Sequence, residues 1–277
     1  MTVAALDPDL LTEERFSPGL GTYTLTGEEG TDIIRTALEA GYRHVDTARL
    51  YGNERAVGDA IHAAALDRKD ILVATKIAHF EHGEPTSQNV RKAVEESHER
   101  LGTDRLDLVY HHWPRREGDV ERVLPIFEEL VDEGAIANIG VSNYPVRYFE
   151  WIDDLIDLPL AAHQVEMHPL LQQSELYEYL HNREIPLVAY SPIAQGEVFD
   201  VPELVDIAEK HDATPASLSL AWLFGKEGVV PVPRSSSTEH VRANLAARNL
   251  TLDDGDIGRI ESIEREERLE NPEWMEW

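Results

Sequence analysis

The chain has 277 residues, 42% of them hydrophobic, enough for one sizeable α/β core or two small ones. It has no cysteine, which excludes disulfides, thiolate nucleophiles and Cys-ligated zinc. Asp and Glu total 53 against 25 Lys and Arg, a formal net charge of −28, which repels nucleic-acid phosphates and anionic membranes. The acids are spread along helical segments and read first as a solvated surface. Acidity with scarce Lys also looks like the proteins of salt-accumulating organisms, where screening removes self-repulsion. The chain is therefore expected to fold best in molar salt. No run of eighteen apolar residues occurs, so no transmembrane helix is expected. MTVAALDPDLLTEERF lacks a basic n-region and a long apolar h-region, so a cytoplasmic protein without a signal peptide is expected. Scattered surface charge gives monomer as the default.

Short β-prone runs alternate with helical patterns along the chain. Leu20–Tyr23 reads as a first strand. His44–Thr47 is the second, and Asn53 and Glu54 begin a helix after it. Ile71–Ile77 is the third, followed by a helix that opens at TSQN and stops before Gly102. Leu106–His112 is the fourth, and the next helix carries Val123, Ile126, Phe127, Leu130 and Val131 at spacings of three and four. Ile136–Ser142, Ala161–Glu166, Pro186–Ser191 and Val229–Pro233 complete the set. The strands are apolar nearly throughout, as expected when both faces are covered. Eight strand–helix units predict an α/β fold, a single-domain (β/α)8 TIM barrel over residues 1–277. A doubly wound sheet is the runner-up. The first-strand segment GLGTYTLTGEEG has G-x-G without the third glycine of a dinucleotide fingerprint.

In such barrels, sites gather at the C-terminal ends of the strands. Strand two ends in Asp46 with Tyr51 close behind, strand three carries Lys76 and strand four ends at His112. Strand five ends at Ser142 and Asn143, strand six carries Gln164 and Glu166, and strand seven ends at Tyr190. A lysine beside a carboxylate stays protonated, and a cation next to a tyrosine lowers the phenol pKa. A neighbouring histidine can orient and polarise a carbonyl oxygen. Asp46, Tyr51, Lys76 and His112 thus read as a proton-delivery device aimed at a carbonyl. Its natural complement is a nicotinamide hydride. Each residue alone has an ordinary reading: Asp46 a helix cap, Tyr51 packing, Lys76 a snorkelling chain, His112 a rim histidine. Their joint placement carries the argument.

These stretches resemble the aldo-keto reductase family, and most of all its small prokaryotic 2,5-diketo-D-gluconate reductase members. The resemblance runs from about Gly19 to the C-terminus. It rests on GLGTYTL, GYRHVDTARLYGNERAVGDAI, VATKI, RLDLVYHHWP, NIGVSNY, HQVEMHP, VAYSP and VVPVPRSSSTEHVRANL. It implies reduction of aldehydes and ketones such as small dicarbonyls, keto-sugars or diketogluconate-like substrates. Tyr51 would donate the proton, Lys76 paired with Asp46 would tune it, and His112 would position the carbonyl, with His111 as its structural neighbour. It implies a nicotinamide cradle of Ser142, Asn143 and Gln164, with Tyr190 stacked on the ring and Thr22 in contact with the cofactor. Arg234, Ser235 and Ser236 would meet the adenosine 2′-phosphate and Asn244 the adenine. Ser237 or Thr238 also reads as a plain helix N-cap, and a helix N-terminus can do both.

Three departures matter. Arg234 stands where the family often has Lys, His240 where it often has Arg, and Ala243 where a Glu is common. The cofactor expectation is NADPH, with NADH possible. Trp113 and Tyr23 are expected to wall a small-molecule carbonyl pocket. Trp274 and Trp277 of the short tail LENPEWMEW either pack over the mouth or hang free. His79 and His82 read as exposed loop residues, and no metal is expected. Two other readings compete. One is a nucleotide-sensing interaction module with low turnover. The other is a metal-dependent barrel hydrolase using His111, His112, His163 and His168.

Overall fold

Eight short parallel strands lie in sequence order, β1 to β8: Gly19–Gly21, His44–Asp46, Leu72–Ile77, Leu108–His111, Ile139–Ser142, Ala162–Glu166, Leu187–Tyr190 and Val229–Pro231. This computed structural model describes residues 18–77, 84–115 and 117–277. His79 and His82 lie outside them. Each strand is paired in parallel with the next. A further bridge between Gly21 and Arg234, with Gly21 N–H donating to Pro233 O at 3.1 Å, joins the two ends into a barrel. A Cβ at Gly21 would stand 2.7 Å from Val232 O, so only glycine allows that close seam.

The helices follow the strands: α1 Gly27–Ala40, α2 Glu54–Ala63, α3 Ser87–Leu101, α4 Glu117–Asp132, α5 Phe149–Leu155 and α6 Ser174–His181. After β7 come α7 Pro202–Lys210 and α8 Pro215–Phe224, and after β8 come α9 Thr238–Ala246 and α10 Asp254–Glu261. Their starts use expected chemistry. Thr86 Oγ1 accepts Asn89 N–H at 3.2 Å, and Ser237 Oγ accepts His240 N–H at 3.4 Å. Among the described residues the order opens with β1, α1, β2, a 3-10 turn over Arg49–Tyr51 and α2, so strands and helices alternate as predicted.

Strand alternation sorts the apolar residues into two cores. Leu72, Ala74, Leu108, Tyr110, Ala162, Val188, Val230 and Val232 fill the barrel interior. Val45, Val73, Val109, Val141, Val165 and Ala189 face outward and pack under helical residues such as Ile34, Val57, Phe127 and Leu204. Tyr110 is the bulky filler, and β5 makes room for it: a Cβ on Gly140 would meet its ring at 2.6 Å. No described helix is long and apolar enough to cross a membrane.

Candidate active site

The mouth is built on the upper ends of β2, β3 and β4. Asp46 closes β2 and is 3% exposed; Lys76, in β3, is 1% exposed. Two charges so deep require partners. Lys76 Nζ donates to Asp46 Oδ1 at 2.6 Å and to Thr47 O at 2.8 Å, and it stands 3.5 Å from the Tyr51 hydroxyl. Asp46 is therefore no helix cap. Its other oxygen, Oδ2, accepts Gln164 Nε2–H at 2.7 Å, a link across 118 residues that sequence reading missed.

Tyr51 rides on a single 3-10 turn, Arg49–Tyr51, which Gly52 ends in a left-handed conformation (φ 66°). The turn is pinned by side chains the sequence reading passed over. Arg49 is buried and donates to Ala93 O and Glu96 Oε2, both at 2.7 Å, on α3. Asn53 Nδ2 donates to Thr22 O at 2.7 Å and Leu25 O at 3.0 Å, while its Oδ1 accepts Thr47 Oγ1–H at 2.7 Å. Sequence reading gives Asn53 only as a helix start; what reveals both residues is their burial, because neither a buried Arg nor a buried Asn survives without partners. His112 follows β4, with its N–H on Ile77 O at 3.1 Å, its Nδ1 buried without a partner, and its ring 6.2 Å from that of Tyr51.

The electrostatics are set by burial. Burial alone would drive the Lys76 ammonium down, but Asp46 and Tyr51 together hold it above its ordinary value. Burial and then the Lys76 charge push His112 well below 6.5, so its imidazole is neutral. Tyr51 corrects an expectation. Burial raises the phenol, Lys76 opposes it and Asp46 adds to it, and the net direction is up, not down. The phenol is held in its protonated, acid form.

A second set of groups follows on β5, β6 and β7. Asn143 has a left-handed backbone (φ 65°), which Asn tolerates, and this turns its amide into the mouth. Its Nδ2 donates to His112 O at 3.1 Å and Ser142 Oγ at 3.0 Å, and its Oδ1 accepts Tyr190 O–H at 2.9 Å. Ser142 accepts that bond and keeps its own O–H to give. Ser142, Asn143, Gln164 and Tyr190 thus form one polar arc with a half-buried aromatic ring. The arc fits a flat ring that carries a carboxamide.

Thr22 behaves differently. It is wholly buried and its hydroxyl donates to Asp46 O at 2.9 Å, so a cofactor contact by this side chain would have to break that bond. Past β8, Arg234 is exposed; its Nε donates to Tyr23 O at 3.0 Å and its Nη2 to Thr24 Oγ1. Ser235 is buried, with Oγ accepting Ser237 N–H at 3.0 Å; Ser236 is exposed, and Asn244 lies in α9. Guanidinium, hydroxyls and the start of a helix together suit a phosphate.

Walls complete the mouth. The exposed Tyr23 ring lies 5.1 Å from Tyr51. The tail folds back: Trp274 and Trp277 pack edge-on against Trp113 at 5.5 and 5.9 Å. Three histidines of the hydrolase reading are engaged with other partners. His111 Nδ1 is 2.5 Å from the Tyr144 hydroxyl, His163 accepts Tyr144 N–H at 3.1 Å, and His168 pairs with Glu166. Among the described residues no cluster of three or more His, Asp or Glu is placed to hold a metal.

Residues 19–265 match the Aldo/keto reductase family, and the chain belongs to it. It is accordingly an oxidoreductase that reduces carbonyl groups to alcohols with a nicotinamide cofactor. Among its relatives is the glyoxal reductase of Bacillus subtilis (strain 168), 35% identical over 254 residues, covering 91% of this chain and 90% of that protein. The methylglyoxal reductase DkgB of Escherichia coli O157:H7 is 34% identical, covering 94% and 97%. A crystal structure of a putative 2,5-diketo-D-gluconic acid reductase B superposes with a TM-score of 0.87 at 30% identity, covering 93% and 91%.

Proposed function

We propose that this chain reduces small aldehydes and ketones, dicarbonyls above all, with Tyr51 as proton donor and NADPH as the preferred cofactor. The observation that carries the reading is the buried Lys76 ammonium, which touches both Asp46 (2.6 Å) and the Tyr51 hydroxyl (3.5 Å) beside the neutral His112. The relatives named for glyoxal and methylglyoxal support the dicarbonyl class.

A nicotinamide held in this arc would supply the hydride that the carbonyl carbon accepts. The Tyr51 phenol gives its proton to the carbonyl oxygen, and Lys76 stabilises the phenolate left behind. Asp46 keeps Lys76 charged and in place. His112, uncharged, offers its remaining ring nitrogen to the carbonyl oxygen, which fixes the direction of approach. Ser142, Asn143 and Gln164 would hold the carboxamide and Tyr190 would stack on the ring. Arg234, Ser235 and Ser236 would take the 2′-phosphate, with Asn244 beside the adenine. The charged fork of Arg234 supports NADPH over NADH, and a histidine at 240 in place of a second guanidinium leaves NADH usable. Tyr23 and Trp113 would wall the substrate.

A net charge of −28 supports a single-domain monomer that is most stable in concentrated salt. The test is NADPH oxidation in molar KCl with methylglyoxal. Consumption that requires both protein and carbonyl is expected. Tight NADPH binding without consumption across several carbonyls would instead support a nucleotide-sensing module.

A further inference from the structure

Behind the mouth, three buried side chains are joined to one another, and each is the chain neighbour of a residue that faces the mouth. Successive residues of a strand point to opposite faces. His112 and Gln164 face inward, so His111 and His163, one residue earlier at the ends of β4 and β6, face the helices. Tyr144 stands between them, and all three are fully buried. Its hydroxyl lies 2.5 Å from His111 Nδ1, and its N–H donates to His163 Nε2 at 3.1 Å. The rings agree with this placement: Tyr144 meets His111 edge-on at 5.9 Å, and His163 meets Phe149 of α5 at 5.5 Å.

The residue before Tyr144 is Asn143, whose left-handed backbone (φ 65°) persists only where surrounding bonds enforce it. Those bonds lie on both sides of it. Asn143 N–H donates to Gln164 O at 2.9 Å, and the next N–H, that of Tyr144, goes to His163. Toward β4, Asn143 Nδ2 donates to His112 O at 3.1 Å. The pairs His111–His112, Asn143–Tyr144 and His163–Gln164 are therefore tied twice, in front by Asn143 and behind by Tyr144. The rear tie to β6 needs His163 Nε2 as an acceptor. Burial lowers that imidazole to about 3, which keeps its lone pair available. Tyr144 itself has no part in the proton delivery described above.

We infer that Tyr144 is a positioning residue: its hydroxyl, through His111, holds His112 in register with Asn143, so that carbonyl and nicotinamide ring meet in one fixed geometry. The inference rests on the reductase reading above and adds to it a residue behind the site. Reacting groups tolerate little displacement, since a misplacement of about 1 Å costs roughly 10²-fold in rate. With the rear tie cut, His112 is referred to Asn143 by the single front bond to its carbonyl.

Tyr144→Phe removes the hydroxyl and keeps the ring and the N–H. The step to read is hydride transfer, in a single turnover of the enzyme–NADPH complex mixed with saturating methylglyoxal. Slowing by NADPH deuterated at the transferred position identifies that step. Its rate is expected to fall about tenfold in Tyr144→Phe. A tyrosine with only a structural role would lower the melting temperature and leave the transfer rate alone, and that result would overturn the inference. His111→Leu cuts the same bond from the other side, so the test does not hang on one variant folding. The double variant is expected to transfer hydride no more slowly than His111→Leu, because the hydroxyl has then lost the partner it acts through. Two losses that multiply would overturn the route through His111. A readout without turnover comes from the ring nitrogens of His112 in protein labelled with nitrogen-15 histidine. Tyr144→Phe is expected to shift their NMR signals, and unmoved signals would overturn the tie even in an active enzyme. If the intact protein reduced no carbonyl, the reductase reading would fall, and the His112 signals would still judge the tie.

Discussion

Two buried carboxylates stand four strands apart on the same rim, and they are satisfied in different ways. Asp46, at the end of β2, is held by side chains: the Lys76 ammonium on one oxygen and the Gln164 amide on the other. Glu166, at the end of β6, is held mainly by backbone, the N–H groups of Leu269 and Glu270, with His168 added. A carboxylate that binds side chains organises chemistry, since its partners can themselves give or steady a proton. One that binds backbone organises chain, because its partners can do nothing but stay. The same rim thus carries a reacting half and a shaping half.

That contrast can be broken from the Asp46 side first. Tyr51→Phe should leave cofactor binding intact and lower kcat by about 10²–10⁴-fold, the usual contribution of a positioned general acid. Turnover close to that of the unaltered protein would remove the role given to Tyr51. Lys76→Met leaves Asp46 buried without its cation, so it should cost about 3–5 kcal/mol in urea unfolding as well as activity. Loss of activity at full stability would mean that water or Gln164 compensates the carboxylate. Arg234→Ala should weaken NADPH by about tenfold to a hundredfold, from roughly 1.5–3 kcal/mol for a charge-assisted contact, and move NADH little; fluorescence titration with both cofactors decides it.

Acid should act on the barrel before it acts on the chemistry. His112 sits well below 6.5 and His163 is lowered to about 3, both chiefly by burial. Below 6.5 the unfolded chain takes up protons that the folded chain refuses, so stability present above that pH is lost as pH falls. Each pH unit below it should cost about 1 kcal/mol per histidine, measurable by urea unfolding between neutral and mildly acid pH. On the alkaline side the raised Tyr51 should keep kcat flat through neutral pH, with the fall coming only above the ordinary phenol range. The smallest effect is general: the melting temperature should rise with KCl as the net charge of −28 is screened. No change would leave the acidic surface as ordinary solvation.

Much of the reacting half was legible because its residues end apolar runs. Asp46, Ser142 and Tyr190 each close a strand and His112 directly follows one, and strand ends converge in a barrel. Local spacing also gave the eight strands, most of them paired over only a part of the run: β4, for example, is Leu108–His111 within Leu106–His112, and β5 is Ile139–Ser142 within Ile136–Ser142. The shaping half was not legible. Glu166 was visible as a strand-end acid, but its partners are backbone groups 103 residues on, and backbone carries no sequence signal. The same distance problem hid the Gln164–Asp46 bond. The direction of the Tyr51 shift was misjudged for another reason: the charge of Lys76 can be read from sequence, whereas the depth of burial that outweighs it cannot.

The plugged barrel interior has a last consequence, for proton resupply. Beneath Asp46 and Lys76 lie Ala74, Leu108, Tyr110, Ala162 and Val188, and the buried His44 stands two residues below Asp46 on the same face of β2. The half-buried Tyr51 meets solvent at the mouth. A phenol that has given up its proton is most directly recharged by the opening that admits the carbonyl, so the alcohol has to clear Tyr51 before the next cycle can be armed.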